Sequence, residues 1–156
     1  MPPSSAQDDY AHAALRHYRD AVYLHDDKRL PNADHHYGFA VECALKSLLL
    51  RYLNATMIDA RGRPSHYPWT VDTGGNHTRH GHLPGIWSDV ATLLRGRTGS
   101  TLGAVLTSSA PFASWDVADR YLKAPSLSTT IMTQRKAAAT QILTLHQQAL
   151  ITGAIQ

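Results

Sequence analysis

The side chains able to do chemistry fall in a few short stretches. Glu42 and Lys46 stand four apart, Glu first, the favourable order for an ion pair on one helix face. Two readings compete for them. One is a solvated surface pair contributing roughly 0.3 kcal/mol. The other is a pair lining a polar groove that meets a nucleotide, and the commonness of exposed pairs of this kind favours the first. His77, Arg79, His80 and His82 form a second cluster. A zinc site takes about four ligands, typically with a thiolate or a distant His or carboxylate. The chain's one cysteine, Cys43, lies inside an apolar stretch, so the cluster reads as a solvated loop, and neither a metal nor a cofactor is expected. His82, at the start of the next helix, reads as a polar cap or packing residue before it reads as a general base. His35 and His36 read as a solvated first turn of the helix that follows them. Trp69, Trp87 and Trp115 read as core or dimer-interface anchors, because aromatic residues dominate both.

These residues are positioned by a helical chain. Asp8 to about Asp27 carries Tyr10, Ala14, Tyr18, Ala21 and Leu24 at three- and four-residue spacing, the pattern of one apolar helix face. Asp8 and Asp9 suit the positive end of its dipole. Pro31 and Asn32 punctuate, and Ala33 to Leu53 then runs apolar on more than one side. Such a helix is the buried centre of a bundle, with Asn54 as a plausible stop. Residues 55–82 hold Gly62, Pro64, Pro68, Gly74, Gly75 and Gly81, which break every periodicity and predict a long irregular loop. Only Tyr67–Val71 suggests an extended piece. Short helices follow at Leu83–Leu94 and Leu102–Leu106. A loop and helical turn span Pro111–Leu122, with Trp115, Val117 and Tyr121 as anchors. The last long helix runs from Ser126 to about Ile151, capped by Ser128 or Thr129. Its inner face is Ile131, Ala138, Ile142, Leu145 and Ala149.

The 156 residues make one domain, with 43% hydrophobic and 17% charged residues, an ordinary globular balance. A single cysteine excludes an intrachain disulfide framework. No apolar run nears the roughly 18 residues that span a bilayer, and Met1–Ser5 has no basic and apolar signal region, so no membrane partner and a cytoplasmic location are expected. The formal charge of +3 is compatible with a nucleic-acid partner but does not argue for one.

Four landmarks in this order resemble the HEPN family of helical RNA- and nucleotide-associated domains. They are Tyr18-Arg19-Asp20-Ala21 in the first helix, Gly38 to Leu49 with its Glu42-x-x-Leu45-Lys46 core, His82-Leu83, and Trp115 through Asp119-Arg120-Tyr121. The resemblance implies an all-α HEPN-like bundle of four to five helices, a single domain over 1–156 and a homodimer. Ribonucleases of the family place Arg-x(4–6)-His at the start of the last helix. There an Arg grips the scissile phosphate and a His moves a proton. In this chain Arg120 stands at the matching place, but the next His is His146. Arg19–His25 and Arg61–His66 fit the spacing elsewhere. The resemblance thus implies an RNA- or nucleotide-binding module with a degenerate nuclease motif. Arg120 and His82 are its candidate catalytic pair, and Tyr121, Glu42, Lys46 and His36 its ligand contacts. The alternatives are a metal-independent endoribonuclease, of the toxin or antiphage-defence kind, and a non-catalytic interaction protein. A nucleotidyltransferase or antitoxin companion is also implied.

Overall fold

The first helix, α1 (Ala6–Asp26), begins where the Ser5 hydroxyl accepts the Asp8 N–H, with Asp8 and Asp9 in the first turn. This computed structural model describes residues 4–97, 99–122 and 127–156. A three-residue turn, with Lys28 at φ 62°, leads into α2 (Leu30–Tyr52). Along α2 the side chains of Ala33, Tyr37, Ala40, Val41, Ala44, Leu45, Leu48 and Leu49 are all buried. No single face accounts for them, so α2 needs neighbours on several sides, and each buried Leu contributes about 1.5–3 kcal/mol. One neighbour is α1, whose buried Ala11, Ala14 and Ala21 let the two helices approach closely. Another is α5 (Thr129–Thr152), capped at Ser128 and closed by Gly153 at φ 77°. Arg135 meets Asp34, His146 meets Ser47, and the Tyr52 hydroxyl donates to the Ala149 carbonyl. Partner numbers rise together on both helices, so α5 runs parallel to α2. The expected start of α5, Ser126, lies outside the described residues.

Two short helices, α3 (Gly85–Leu93) and α4 (Thr101–Ser108), close the core with Ile86, Trp87, Val90, Leu102 and Leu106. The Trp87 indole N–H donates to the carbonyls of Leu106 and Ser109 at 3.0 and 3.1 Å. A 3-10 helix, Val117–Tyr121, follows. Ahead of it Trp115 is buried against α2 at Gly38, where an added Cβ would sit 2.2 Å from the indole. Only glycine admits that approach.

Residues 55–82 correct the sequence reading. They form an antiparallel sheet of β1 (Thr56–Ile58), β2 (Pro64–Val71) and β3 (His77–Arg79), with β2 central, so the architecture is mainly helical and not purely all-α. Pro64 opens β2, and the β1–β2 register shifts between Thr56↔Trp69 and Ile58↔Pro64. The prolines thus sit at a strand start and within an irregularity, the places a sheet tolerates them. Gly62 and Gly75, at φ 76° and 80°, shape the connecting turns. Asp59 accepts the N–H groups of Arg61 and Arg63 in one turn. Asp72 accepts those of Gly74 and Asn76 in the other. The residues that erased periodicity are therefore the ones that build the hairpins.

Candidate functional site

Glu42 and Lys46 are 6% and 4% exposed, which overturns the reading of a solvated pair. The difference has a physical cause. The sheet and the segment after it cover this stretch of α2, so the ion pair is desolvated and its remaining hydrogen-bonding capacity must be met inside the protein. It is met. Lys46 Nζ donates to Glu42 Oε1 at 2.7 Å. His82 Nδ1 lies 2.9 Å from the same oxygen, and the Leu83 N–H donates to Oε2 at 3.2 Å. The cluster ends in water, because the His82 side chain is about half exposed. With Nδ1–H held by the carboxylate, the ring's other nitrogen, Nε2, is the free acceptor, the orientation that a general base or a phosphate contact uses.

Aromatic rings frame this cluster. Lys46 Nζ lies 5.4 Å from the Tyr10 ring centroid and 5.7 Å from that of Tyr67, favourable cation–π positions. Tyr67 meets His82 edge-on at 5.6 Å, and the exposed Arg79 stacks on Tyr67 with Cζ at 5.0 Å. Arg79 has no carboxylate partner among the described residues, whereas Arg63 is paired with Asp59. Cys43 is beside the site but inert, since burial and the neighbouring Glu42 carboxylate push its thiol up to about 11. Burial likewise raises the Tyr10 phenol.

Comparison with protein-family models, curated proteins and solved structures finds no match. The site therefore rests on its own geometry.

Three of the sequence's candidate residues, Glu42, Lys46 and His82, come together here. The others do not. Arg120 and Tyr121 lie on the 3-10 helix, both exposed. Arg120 Nη2 donates to the Tyr121 hydroxyl at 2.6 Å and its guanidinium stacks on that ring. Tyr121 is 75% exposed and is no core anchor, and Asp116 caps Ala118 without pairing with Arg120. No hydrogen bond or ion pair joins Arg120 to His82, Glu42 or Lys46 among the described residues. His35 is buried and His36 half-buried, against the expectation of a solvated first turn. His36 faces α1, where its Nδ1 lies 3.2 Å from His17 Nδ1. Arg61 and His66 sit on the β1–β2 hairpin, with no contact between them among the described residues.

Two polar clusters escaped the sequence reading. His80, expected in a solvated loop, is 1% exposed. Its Nε2 meets Thr70 Oγ1 at 2.8 Å and its Nδ1 meets Asp89 at 2.9 Å, which fastens the sheet to α3. The hydroxyl–imidazole–carboxylate order resembles a nucleophile relay, but Thr70 is itself buried and the adjoining pocket measures only about 130 Å³. The second is the Asp34–Arg135 pair at 2.7 Å, with Arg135 Nε donating to the Pro111 carbonyl and Nη2 to Ser114. Period-3.6 patterning cannot flag an Arg on an inner face. Wider grooves lie along α1 instead, one of about 420 Å³ bordered by Arg16, Arg19, Asp20 and Arg51. Arg51 is engaged by Asp8 there, so much of that groove's charge is balanced from within.

Proposed function

We propose that this chain is a HEPN-like RNA- or nucleotide-binding module whose ligand surface is the His82–Tyr67–Arg79 patch on the Glu42–Lys46 pair. The observation that carries the reading is the orientation of His82: a buried carboxylate fixes one ring nitrogen and leaves the half-exposed ring against Tyr67, and Tyr67 also carries Arg79, which has no carboxylate partner among the described residues. Arg79, held over the Tyr67 ring, offers a guanidinium plane for a base or a fork for phosphate. His82 Nε2 accepts from a ribose hydroxyl, or donates to phosphate when protonated. The helical order and the Glu42-x-x-Leu45-Lys46 landmark support the family assignment. Among the described residues no helix is long and apolar enough to cross a membrane. Self-association as a homodimer belongs to the same proposal, on the face where Tyr121 and Leu122 stay exposed around Arg120.

The test is fluorescence anisotropy of a labelled single-stranded RNA across a salt series. Wild type is expected to bind with affinity that falls as salt rises. Arg79→Ala is expected to reduce the log–log slope by about 0.7. Absence of salt-sensitive binding to RNA or to nucleotides would refute the reading.

A second reading, metal-independent ribonuclease, is favoured by the same oriented imidazole, because a His that can move a proton to or from a 2′-hydroxyl shares Tyr67 with an exposed Arg that can hold phosphate. It predicts cleavage of RNA in EDTA that His82→Ala abolishes. An Arg120→Ala arm decides whether the 3-10 helix takes part.

A further inference from the structure

A second cluster of histidines lies between α1 and α2, where His36 meets His17. His17 and Asp20 are three apart on α1 and so share a face, and His36 of α2 points at them. One ligand atom from each of the three lies within 4.8 Å of the others. The two imidazoles meet through the same atom, Nδ1 to Nδ1, at 3.2 Å. Two nitrogens bound at about 2.05 Å to one tetrahedral ion stand roughly 3.3 Å apart. The helix pair therefore already holds the edge of a tetrahedron, with its Asp20 corner exposed.

Phe39 sits beside both rings, with centroids 5.4 Å from His17 and 6.2 Å from His36. It limits their motion and helps to exclude water. Burial lowers the proton affinity of both imidazoles, so the neutral, ligating form prevails at pH 7. In the metal-free protein one proton bridges the two nitrogens, which cannot both accept. When a metal ion binds, that proton moves to the same ring's Nε2, and both Nδ1 lone pairs turn to the ion.

From this geometry we infer that His17, His36 and Asp20 form a binding site for a single divalent transition ion of the zinc class, clipping α1 to α2. Two imidazoles and one carboxylate on an exposed edge leave at least one position for water or an exogenous ligand. The ion would add a bond between two helices that otherwise meet through small residues and aromatic contacts such as Tyr18–Tyr37.

The experiment uses the full chain with ¹⁵N-labelled histidine, titrated with Zn²⁺ and followed by long-range ¹H–¹⁵N spectra. The first equivalent is expected to move Nδ1 of His17 and His36 together, leaving the exposed His77 in place. Competition titration is expected to give a Kd at least ~10-fold weaker for Asp20→Asn, a variant at an exposed position that leaves the core untouched, and unchanged for His77→Ala. The inference is overturned if the first equivalent shifts other histidines, if His17 and His36 do not move, or if Asp20→Asn binds as tightly as wild type.

Discussion

Two buried ion pairs sit on α2, and they end differently. At its N-terminal part Asp34 meets Arg135, and the other guanidinium donors reach Pro111 and Ser114. Every contact made leads back into protein, while Asp34 Oδ1 is buried with no hydrogen-bond partner among the described residues. Two turns further along, Glu42 meets Lys46, but its carboxylate also holds His82, whose far side faces water. The first pair ties α2, α5 and the segment before the 3-10 helix together. The second holds an imidazole toward solvent in one orientation. A buried charge pair is weak evidence for stability in itself, and what separates structural from functional use here is whether its network closes.

The comparison can be broken at several points. Removing the closed pair's cation with Arg135→Ala should have the largest effect, since Asp34, already raised by burial, is left without compensation. Urea denaturation is expected to show a loss of about 3–5 kcal/mol, with RNA affinity of the folded protein unchanged. Acid comes next. On the closed side His146 is fully buried against Ser47, and burial lowers it to about 4. Between pH 6.5 and 4 the unfolded chain binds a proton that the native protein refuses, so stability is full above pH 6.5 and falls as pH drops toward 4. The loss from this group reaches up to about 3 kcal/mol, and His17, His25 and His36 shift the same way. Denaturation midpoints across that range should flatten in His146→Leu. At the open pair, Glu42→Gln removes the counter-charge of Lys46 and loosens His82. About 2 kcal/mol of stability and roughly tenfold in RNA affinity are expected to go together. His82→Ala should cost within about 0.5 kcal/mol yet weaken RNA binding by the same factor. If it unfolds the protein instead, the open pair is structural like the closed one.

The helices were legible because they carry local signals: Asp8 and Asp9, the all-round apolar run of α2, Asn54 at φ 58°, and Ser128 as a cap. The sheet was not, because its Pro and Gly residues mark breaks in period-2 patterning whether or not strands pair around them. Of the site, Glu42, Lys46 and His82 are visible as residues, but the burial of Glu42 and Lys46 is not, since burial by a sheet about 20 residues away along the chain leaves no trace in helix spacing. Arg79 was noticed only as part of a His-rich patch, and Tyr67 as part of an extended piece. What joins them is the antiparallel register of β2 with β3, a long-range property. Asp34, Arg135 and His146 went unread for a related reason: polar residues on inner faces look like solvated ones until a partner more than ninety positions away is known.

The most direct test of the open site follows the histidine rings of the intact protein during titration with single-stranded RNA. Nε2 of His82 is expected to move most, while His80 and His146, locked inside the fold, stay where they are. RNA that binds with saturable affinity and leaves His82 unmoved would contradict it.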